Sequence, residues 1–469
     1  MKPFMISNDK KIHMIGIGGV SMSGIADILL NMGFSISGSD MTKSAVTDRL
    51  ETQGIKITIG HFPENVHGAD IIVYTAAIKE DNPEIVEAKA LGLELIERSD
   101  LLGMLTKAYK DTIAVSGTHG KTTTTSMLSS IFVEAKTDPT IQVGADLKIL
   151  NDKNYRVGKS EYFIVESCEY VRSFLKFFPK VAIVLNIEED HLDCYKDLDD
   201  IKDAFNDFLN IPDDTGLLIL NGDDTDCLDI SLNHKAPVIT FGINNKESDW
   251  TAENITLNEN GAYSFEAVNV KDNYRLNVVL NIPGYHHIYN ALASIATAKF
   301  YNIDDESIVK GLLSFSGASR RFEYVGTVNG AKIYDDYAHH PTEIKATISA
   351  ANNIKKNKLW VVFQPHTYTR TYSLFNEFVE TFAGLENVII TDIYAAREKD
   401  TGVVSSKQLV EKINQTSDNN CVYISSLEDA SKYLVEHIGK DDLVLTIGAG
   451  TITKLGRMML AEDAQRGVR

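Results

Sequence analysis

The sequence predicts an α/β protein of three domains, and three observations carry that reading. A strand runs into Gly117-Thr-His-Gly120-Lys121-Thr122 and reopens as a helix; an earlier strand turns through Gly16, Gly18 and Gly19; beyond Ser319 five apolar strands alternate with amphipathic helices. Such alternation is the pattern of mostly parallel sheets covered by helices. The length agrees, since 469 residues at about 150 per domain make three. The expected boundaries are 1–108, 109–318 and 319–469.

Composition narrows the class of partner. With 43% hydrophobic residues and 10 Pro the chain can bury several cores. Lys plus Arg number 46 against 65 Asp plus Glu, a formal charge of -19, which argues against a nucleic-acid or acidic-membrane surface. Four cysteines, at 168, 194, 227 and 421, include no Cys-x-x-Cys pair and fit a reducing compartment. Residues Met1 to Lys10 lack the apolar core of a signal peptide, and no run approaches the ~20 apolar residues that span a bilayer. A cytoplasmic protein with no membrane partner is expected.

In the first domain a strand at Ile12 to Ile15 breaks at Gly16, Gly18 and Gly19, and a helix follows with Met22, Ile25, Ala26, Leu29 and Leu30 at helical spacing. A second strand, Phe34 to Ile36, leads to Asp40, near the distance of about 20 residues at which an acidic side chain meets a ribose. Ser21 stands in the place of the third glycine, and Gly24 comes three residues later. Taken alone, this fingerprint equally describes a tight turn in any α/β domain. A strand at Asp70 to Tyr74 ends in Thr75-Ala-Ala-Ile78, and a helix over 98–107 closes the domain.

The second domain opens with the strand Ile113 to Ser116. Bare N–H groups at Gly117 and Gly120, with the positive end of the following helix, suit the phosphates of a nucleoside triphosphate; Lys121 would neutralise β and γ oxygens and the Thr122 hydroxyl would ligate Mg²⁺. Val115 stands where the usual spacing has glycine, so the loop is a shortened variant. Two more strands end in polar tips: Tyr162 to Val165 at Glu166, and Val181 to Leu185 at Asn186, with Glu188, Glu189, Asp190 and His191 beyond. Ligands collect at the carboxyl ends of strands in open α/β sheets, and carboxylate with imidazole beside triphosphate points to Mg²⁺ held by Thr122, Glu166 and His191. Separately, Glu166 and His191 read equally as ordinary polar strand ends. A β-rich piece over 216–282 precedes Pro283-Gly284 and a helix from His286 to about Tyr301. In the third domain strands are expected at 331–335, 359–363, 387–391, 421–424 and 442–446.

Taken together these landmarks resemble the Mur ligase family of peptidoglycan synthesis. The matching pieces are Gly16 to Ala26, Ser116 to Thr124, Asn186-Ile-Glu-Glu-Asp-His191, Pro283-Gly284 with His286 to Asn290, Arg320-Arg-Phe322, Asp335-Asp-Tyr-Ala-His-His-Pro341, and Gln364-Pro-His366 with Arg370. The resemblance covers essentially the whole chain. It implies a Rossmann-like UDP-binding N-terminal domain, a central P-loop-type ATPase domain and a Rossmann-like C-terminal domain. The branch that adds the first amino acid matches best, so the implied reaction is ATP-dependent joining of L-alanine to the lactyl carboxylate of UDP-N-acetylmuramate through an acyl phosphate, by a monomer or weak homodimer.

The resemblance also implies roles. The UDP-sugar would be held by Gly16, Gly18, Gly19, Ser21, Met22, Ser23, Asp40, Thr75, Ala76 and Ala77. ATP would be held by Gly117, Thr118, His119, Gly120, Lys121, Thr122 and Thr123, with His286 and Asn290 on one helix face as adenine contacts, Arg321 at the phosphates and Asp336 at the ribose. His339 would reach the γ-phosphate, completing a catalytic set with Lys121 and His191. His366 and Arg370 would receive alanine. Thr367 stands where many relatives carry a second Arg, Cys168 and Tyr170 interrupt an acidic run after Glu166, and 204–207 holds no Lys for carbamoylation.

Three rival readings are open to test. A peptide-recycling ligase of the same family would prefer a preformed peptide over a free amino acid. A nicotinamide-dependent dehydrogenase would explain Gly16 to Asp40 but leave Lys121-Thr122 without purpose. A nucleotide-dependent switch would hydrolyse ATP without an acceptor amine.

Overall fold

A computed structural model describes residues 6–75, 77–191, 194–258, 261–396, 398–417 and 420–466. The chain forms two compact units. The first comprises Met1–Glu253, Glu266–Val278 and Tyr289–Phe315; the second comprises Asn254–Phe265, Val279–Ile288 and Ser316–Arg469.

The first sheet, in the first unit, is parallel, with strand order Lys56–Ile59, Ser35–Asp40, Lys11–Ile15, Ile71–Tyr74, Glu94–Glu97. Strand Lys11–Ile15 is central, and the order reverses beside it. The glycine turn that follows this strand therefore opens at the topological switch point, where a crevice forms.

The phosphate-loop strand, Asp111–Ser116, lies between Tyr162–Glu166 and Val181–Val184, all parallel, in a ten-stranded sheet. Glu166 pairs in register with Val115, which brings the carboxylate beside the loop. Outward from Val181–Val184 come Leu217–Asn221 and Val238–Phe241, then Trp250–Leu257, Ala262–Asn269 and Tyr274–Pro283; on the other side lie Thr140–Leu147 and Lys153–Arg156.

The helix after the loop, Lys121–Glu134, is rich in Thr and Ser, poor helix formers in isolation. It folds because the element is buried, and its hydroxyls, shut off from water, are satisfied one turn back: Thr125 donates to the Lys121 carbonyl, Ser126 to Thr122, Ser129 to Thr125 and Ser130 to Ser126. Helix Asp305–Ser314 packs closely on it; a Cβ at Gly311 would stand 2.5 Å from the Ile131 Cα.

Within the first unit the two sheets share one apolar core, with Met14, Ile25, Leu101 and Leu105 joining Phe163, Phe174, Phe205 and Phe208. Polar ties reinforce it: Lys176 meets Glu97 at 3.2 Å and Asp100 at 3.0 Å, and Asn154 donates to the Val20 carbonyl. Gly24 explains itself here, since a Cβ would stand 2.5 Å from Gln142 Oε1. The small residue missing at 21 reappears against strand Thr140–Leu147 of the second sheet.

The second unit holds a six-stranded sheet ordered Glu323–Val328, Ala331–Asp336, Leu443–Ile447, Leu359–Phe363, Asn387–Ile390, Asn420–Tyr423. Only the first pair is antiparallel, a hairpin turned at Gly330, whose φ is +81°. All five strands expected there are present within a residue or so. The edge strand Glu323–Val328 was not anticipated, because only its last residue, Val328, is buried and no apolar alternation marks it. The helix expected from His286 begins at His287, so His286 lies in the turn immediately before it.

Candidate functional site

In the first unit the phosphate loop is set by two glycines. Gly117 has φ +132°, and a Cβ there would lie 3.0 Å from the Leu185 backbone nitrogen; Gly120 is left-handed, with Asn290 Oδ1 2.9 Å from where its Cβ would be. Any side chain at either position would be strained or displaced. Asn186 braces the loop: its Oδ1 accepts from the His119 N–H at 2.7 Å, its Nδ2 donates to the His119 carbonyl at 3.1 Å, and its own carbonyl accepts from Thr118. The Thr118 hydroxyl accepts from the Glu188 N–H at 2.9 Å. Thr123 is buried in the first helical turn.

Lys121 folds back on this loop, donating to the carbonyls of Gly117 at 2.6 Å and Thr118 at 2.9 Å, and to the Glu169 carboxylate. Burial works against its charge, but Glu169 and its neighbours outweigh burial and raise the lysine pKa. Burial likewise opposes the Glu169 charge, yet Lys121 and His191 hold that carboxyl below its ordinary value. His191, at φ +57°, places Nε2 3.5 Å from Glu169 and 3.7 Å from Asp190. Thr122 donates to Glu166 at 3.1 Å, and the other Glu166 oxygen accepts from the Gly144 N–H at 2.8 Å. The hydroxyl and carboxylate in direct contact form a hard-oxygen donor set that suits Mg²⁺. Buried hydroxyls at Ser116 and Ser167, without hydrogen-bond partners, add unsatisfied oxygens at the same two strand ends.

The glycine turn of the first sheet is held from below. The Ser39 carbonyl accepts from the N–H groups of Gly16 and Ile17, while its hydroxyl donates to the buried Glu84 at 2.7 Å. Asp40 accepts from the Gly18 N–H at 2.9 Å, so in this structure its carboxylate closes the turn. Gly19 and Ser21 lie at the helix entry, Ser23 donates to the Val20 carbonyl, and Met22 is turned into the core. Thr75 shapes the turn after its strand, accepting from Ala77 through its hydroxyl and from Ile78 through its carbonyl; Ala76 lies outside the described residues. Sequence reasoning missed Arg98, whose guanidinium donates to the Ser21 hydroxyl at 3.1 Å and brings a cation to the turn. A lone arginine at a distant strand end carries no local signal.

In the second unit Asp336 is buried at the end of its strand. It accepts from the Phe322 N–H at 2.7 Å and the Ala338 N–H at 2.8 Å, and burial pushes its carboxyl up to about 6 despite nearby Arg321. Arg321 and His339 both approach Glu343, at 3.8 and 3.4 Å. The His286 and His287 rings touch in a tilted arrangement, with centroids 4.0 Å apart and planes at 53°. His339 lies 6.0 Å, ring to ring, from His366, and Arg370 donates to His366 Nδ1 at 3.2 Å. Burial, then Arg370, lowers the His366 pKa to about 4, so that ring is neutral near pH 7. The candidates for γ-phosphate and for amino acid are thus neighbours.

Among the described residues no helix is long and apolar enough to cross a membrane. Comparison with known proteins agrees along the whole chain. Residues 11–110 match the catalytic domain of the Mur ligase family, 115–298 the Mur ligase middle domain and 320–450 the Mur ligase glutamate ligase domain. The chain is 50% identical to a UDP-N-acetylmuramate--L-alanine ligase of Acetivibrio thermocellus, over 97% of this chain and 96% of the relative. It is 51% identical to the enzyme of that name from Clostridium botulinum, over 97% and 99%. Among solved structures it is similar to the UDP-N-acetylmuramate-alanine ligase of Thermotoga maritima, with a TM-score of 0.82, 27% identity and coverage of 97% and 100%. With a MurF ligase from Thermotoga maritima in complex with ADP it shares the fold, at a TM-score of 0.64, 18% identity and coverage of 92% and 95%. On these matches and on the phosphate loop with its carboxylate and imidazole neighbours, the chain belongs to the Mur ligase family.

Proposed function

We propose that the chain is an ATP-dependent ligase that joins L-alanine to the lactyl carboxylate of UDP-N-acetylmuramate, releasing ADP and phosphate, in peptidoglycan precursor synthesis. The observation that carries this reading is the identity of about half, over nearly the full length, to ligases that bear that name. Residues 1–108 hold the UDP-sugar, 109–318 hold ATP, and 319–469 bring the amino acid.

A carboxylate is a poor electrophile, and phosphorylation supplies a leaving group that the alanine amine displaces. Two anions must meet for that first transfer, so cationic charge near the γ-phosphate decides the rate. Lys121 supplies it once a triphosphate draws its ammonium from Glu169. Mg²⁺, held by Thr122, Glu166 and His191, would add Lewis-acid charge on the phosphate oxygens. Asn290 beside Gly120 and His286 receive the adenine, Asp336 the ribose, and Arg321 with His339 the phosphates. His366 and Arg370 hold alanine by its carboxylate and leave its amine free to attack.

Mass spectrometry of the product formed with ATP, Mg²⁺, UDP-N-acetylmuramate and a mixture of free amino acids tests the reaction. Addition of one alanyl residue, with matching release of phosphate, is expected. Addition only of a supplied tripeptide would assign the recycling branch instead, and ATP hydrolysis without any adduct would assign a switch.

A further inference from the structure

Helix Tyr368–Ser373, which carries Arg370, has six residues, far too few to hold itself together by its own hydrogen bonds. Its cap is strained as well, since Thr367 sits at φ +65°. Something outside the helix must therefore fix it. The segment after strand Asn387–Ile390 does so in two places. Tyr394 exchanges backbone hydrogen bonds with the strained stretch, its carbonyl accepting from Thr367 at 2.9 Å and its N–H donating to Pro365 at 2.8 Å; its ring stacks on His366 at 5.7 Å. Glu398 then takes the open end of the helix: one carboxylate oxygen accepts from the N–H groups of Tyr368 at 2.6 Å and Thr369 at 3.0 Å, and the other accepts from the Thr369 hydroxyl.

The first N–H groups of a helix have no partner within it, and a carboxylate there also meets the positive end of the helix dipole. Glu398 satisfies the two donors immediately before Arg370. Arg370 in turn donates its own N–H to the Thr367 hydroxyl at 3.4 Å and its guanidinium to His366. The carboxylate is part-buried and accepts from all three of these donors.

We propose that Glu398 is a positioning residue for L-alanine: through the first turn of helix Tyr368–Ser373 it aims the Arg370 guanidinium and the His366 ring at the incoming amino acid. The inference rests on the reading of His366 and Arg370 as the alanine site. A guanidinium held at both its backbone and its tip offers a fixed fork to a carboxylate, whereas one on a loosened turn must be ordered during binding.

The test is a set of three full-length variants, Glu398→Gln, Arg370→Lys and the double, with KM measured for L-alanine, ATP and UDP-N-acetylmuramate and with melting temperature recorded. Glu398→Gln keeps the shape but gives up the charge and one acceptor. It should raise KM for L-alanine about 5- to 10-fold, with the other two KM values and kcat within about 2-fold. In the Arg370→Lys background the same change should add less than about 2-fold, because its route of action is already lost. An L-alanine KM that does not move in Glu398→Gln but rises in Arg370→Lys overturns the proposal alone. No rise in either single variant overturns the alanine reading of Arg370 beneath it. A full additional effect in the double variant, or all three KM values moving together with a lowered melting temperature, shows a general structural role and overturns the proposal.

Discussion

Lys121 and Glu169 form a buried ion pair, with 2.9 Å between ammonium nitrogen and carboxylate oxygen and side chains only 13% and 3% exposed. The same carboxylate faces His191, whose Nε2 lies 3.5 Å away, so one acid meets both the ammonium and the imidazole that flank the phosphate loop. Breaking such a pair on one side leaves the other charge without compensation.

Glu169→Gln is therefore expected to cost about 3 kcal/mol of stability, read by denaturant titration, because a desolvated ammonium loses its partner. Lys121→Ala should abolish ligation while calorimetric affinity for UDP-N-acetylmuramate stays within about 2-fold, since the lysine acts on phosphates at another strand end. A comparable loss of sugar-nucleotide affinity would show that the sites are not separate.

Thr122→Val and Glu166→Ala each remove one of two touching oxygens. Both should raise the Mg²⁺ concentration for half-maximal rate by roughly 10-fold and depress kcat. His191→Ala is expected to raise it too. If it leaves the Mg²⁺ dependence unchanged while the other two do not, the imidazole serves the Glu169 pair and is no metal ligand.

Asp336 is 7% exposed, with its carboxyl at about 6 against an ordinary 3.8. Between those values the folded chain holds the proton more tightly than the unfolded chain, so this group makes stability fall as pH rises from 3.8 to 6. Asp336→Asn should remove that contribution. In the ribose role proposed for Asp336 the ionised carboxylate is the acceptor, so KM for ATP should rise below about pH 6 in the parent and lose that limb in Asp336→Asn. A limb that persists in the variant belongs to another group.

Arg370→Lys keeps the charge but loses the planar fork. KM for L-alanine should rise roughly 10-fold, and that for L-alanine amide much less, because the amide offers no carboxylate to clamp. Equal effects on acid and amide would place the carboxylate elsewhere.

The parallel strands were legible because apolar runs between glycine and acidic turns leave few alternatives, and the phosphate loop because its glycines are required by backbone geometry at Gly117 and Gly120. Strand Glu323–Val328 was not, since an exposed edge needs no apolar pattern. Helix Lys121–Glu134 is legible only from its loop, for a run of Thr and Ser becomes helical through burial. At the site, Thr122 and Glu166, 44 positions apart, could be paired from their place at neighbouring strand ends, whereas partners that arrive from outside such strand ends carried no signal. Arg98 reaches Ser21 from 77 positions away, and Glu398 reaches Thr369 from 29. Periodicity reports which face of an element is buried, not which far segment lands on its end. The start of helix His287–Phe300 slipped by one for a local reason: the turn at Gly284, φ +123°, delays it.

The merged core of the first two sheets has a consequence for protein engineering. Excising the first sheet near residue 110 would bare Leu101 and Leu105 on the excised piece, strand Lys176 from Glu97 and Asp100, and leave Gln142 without the Gly24 surface it packs on. A chimera that exchanges only the sugar-nucleotide module would inherit a mismatched seam, with the helix Val20–Asn31 and the hairpin Thr140–Arg156 drawn from different parents. The transplantable piece is the pair, and a donor would have to supply both halves together for either to fold cleanly.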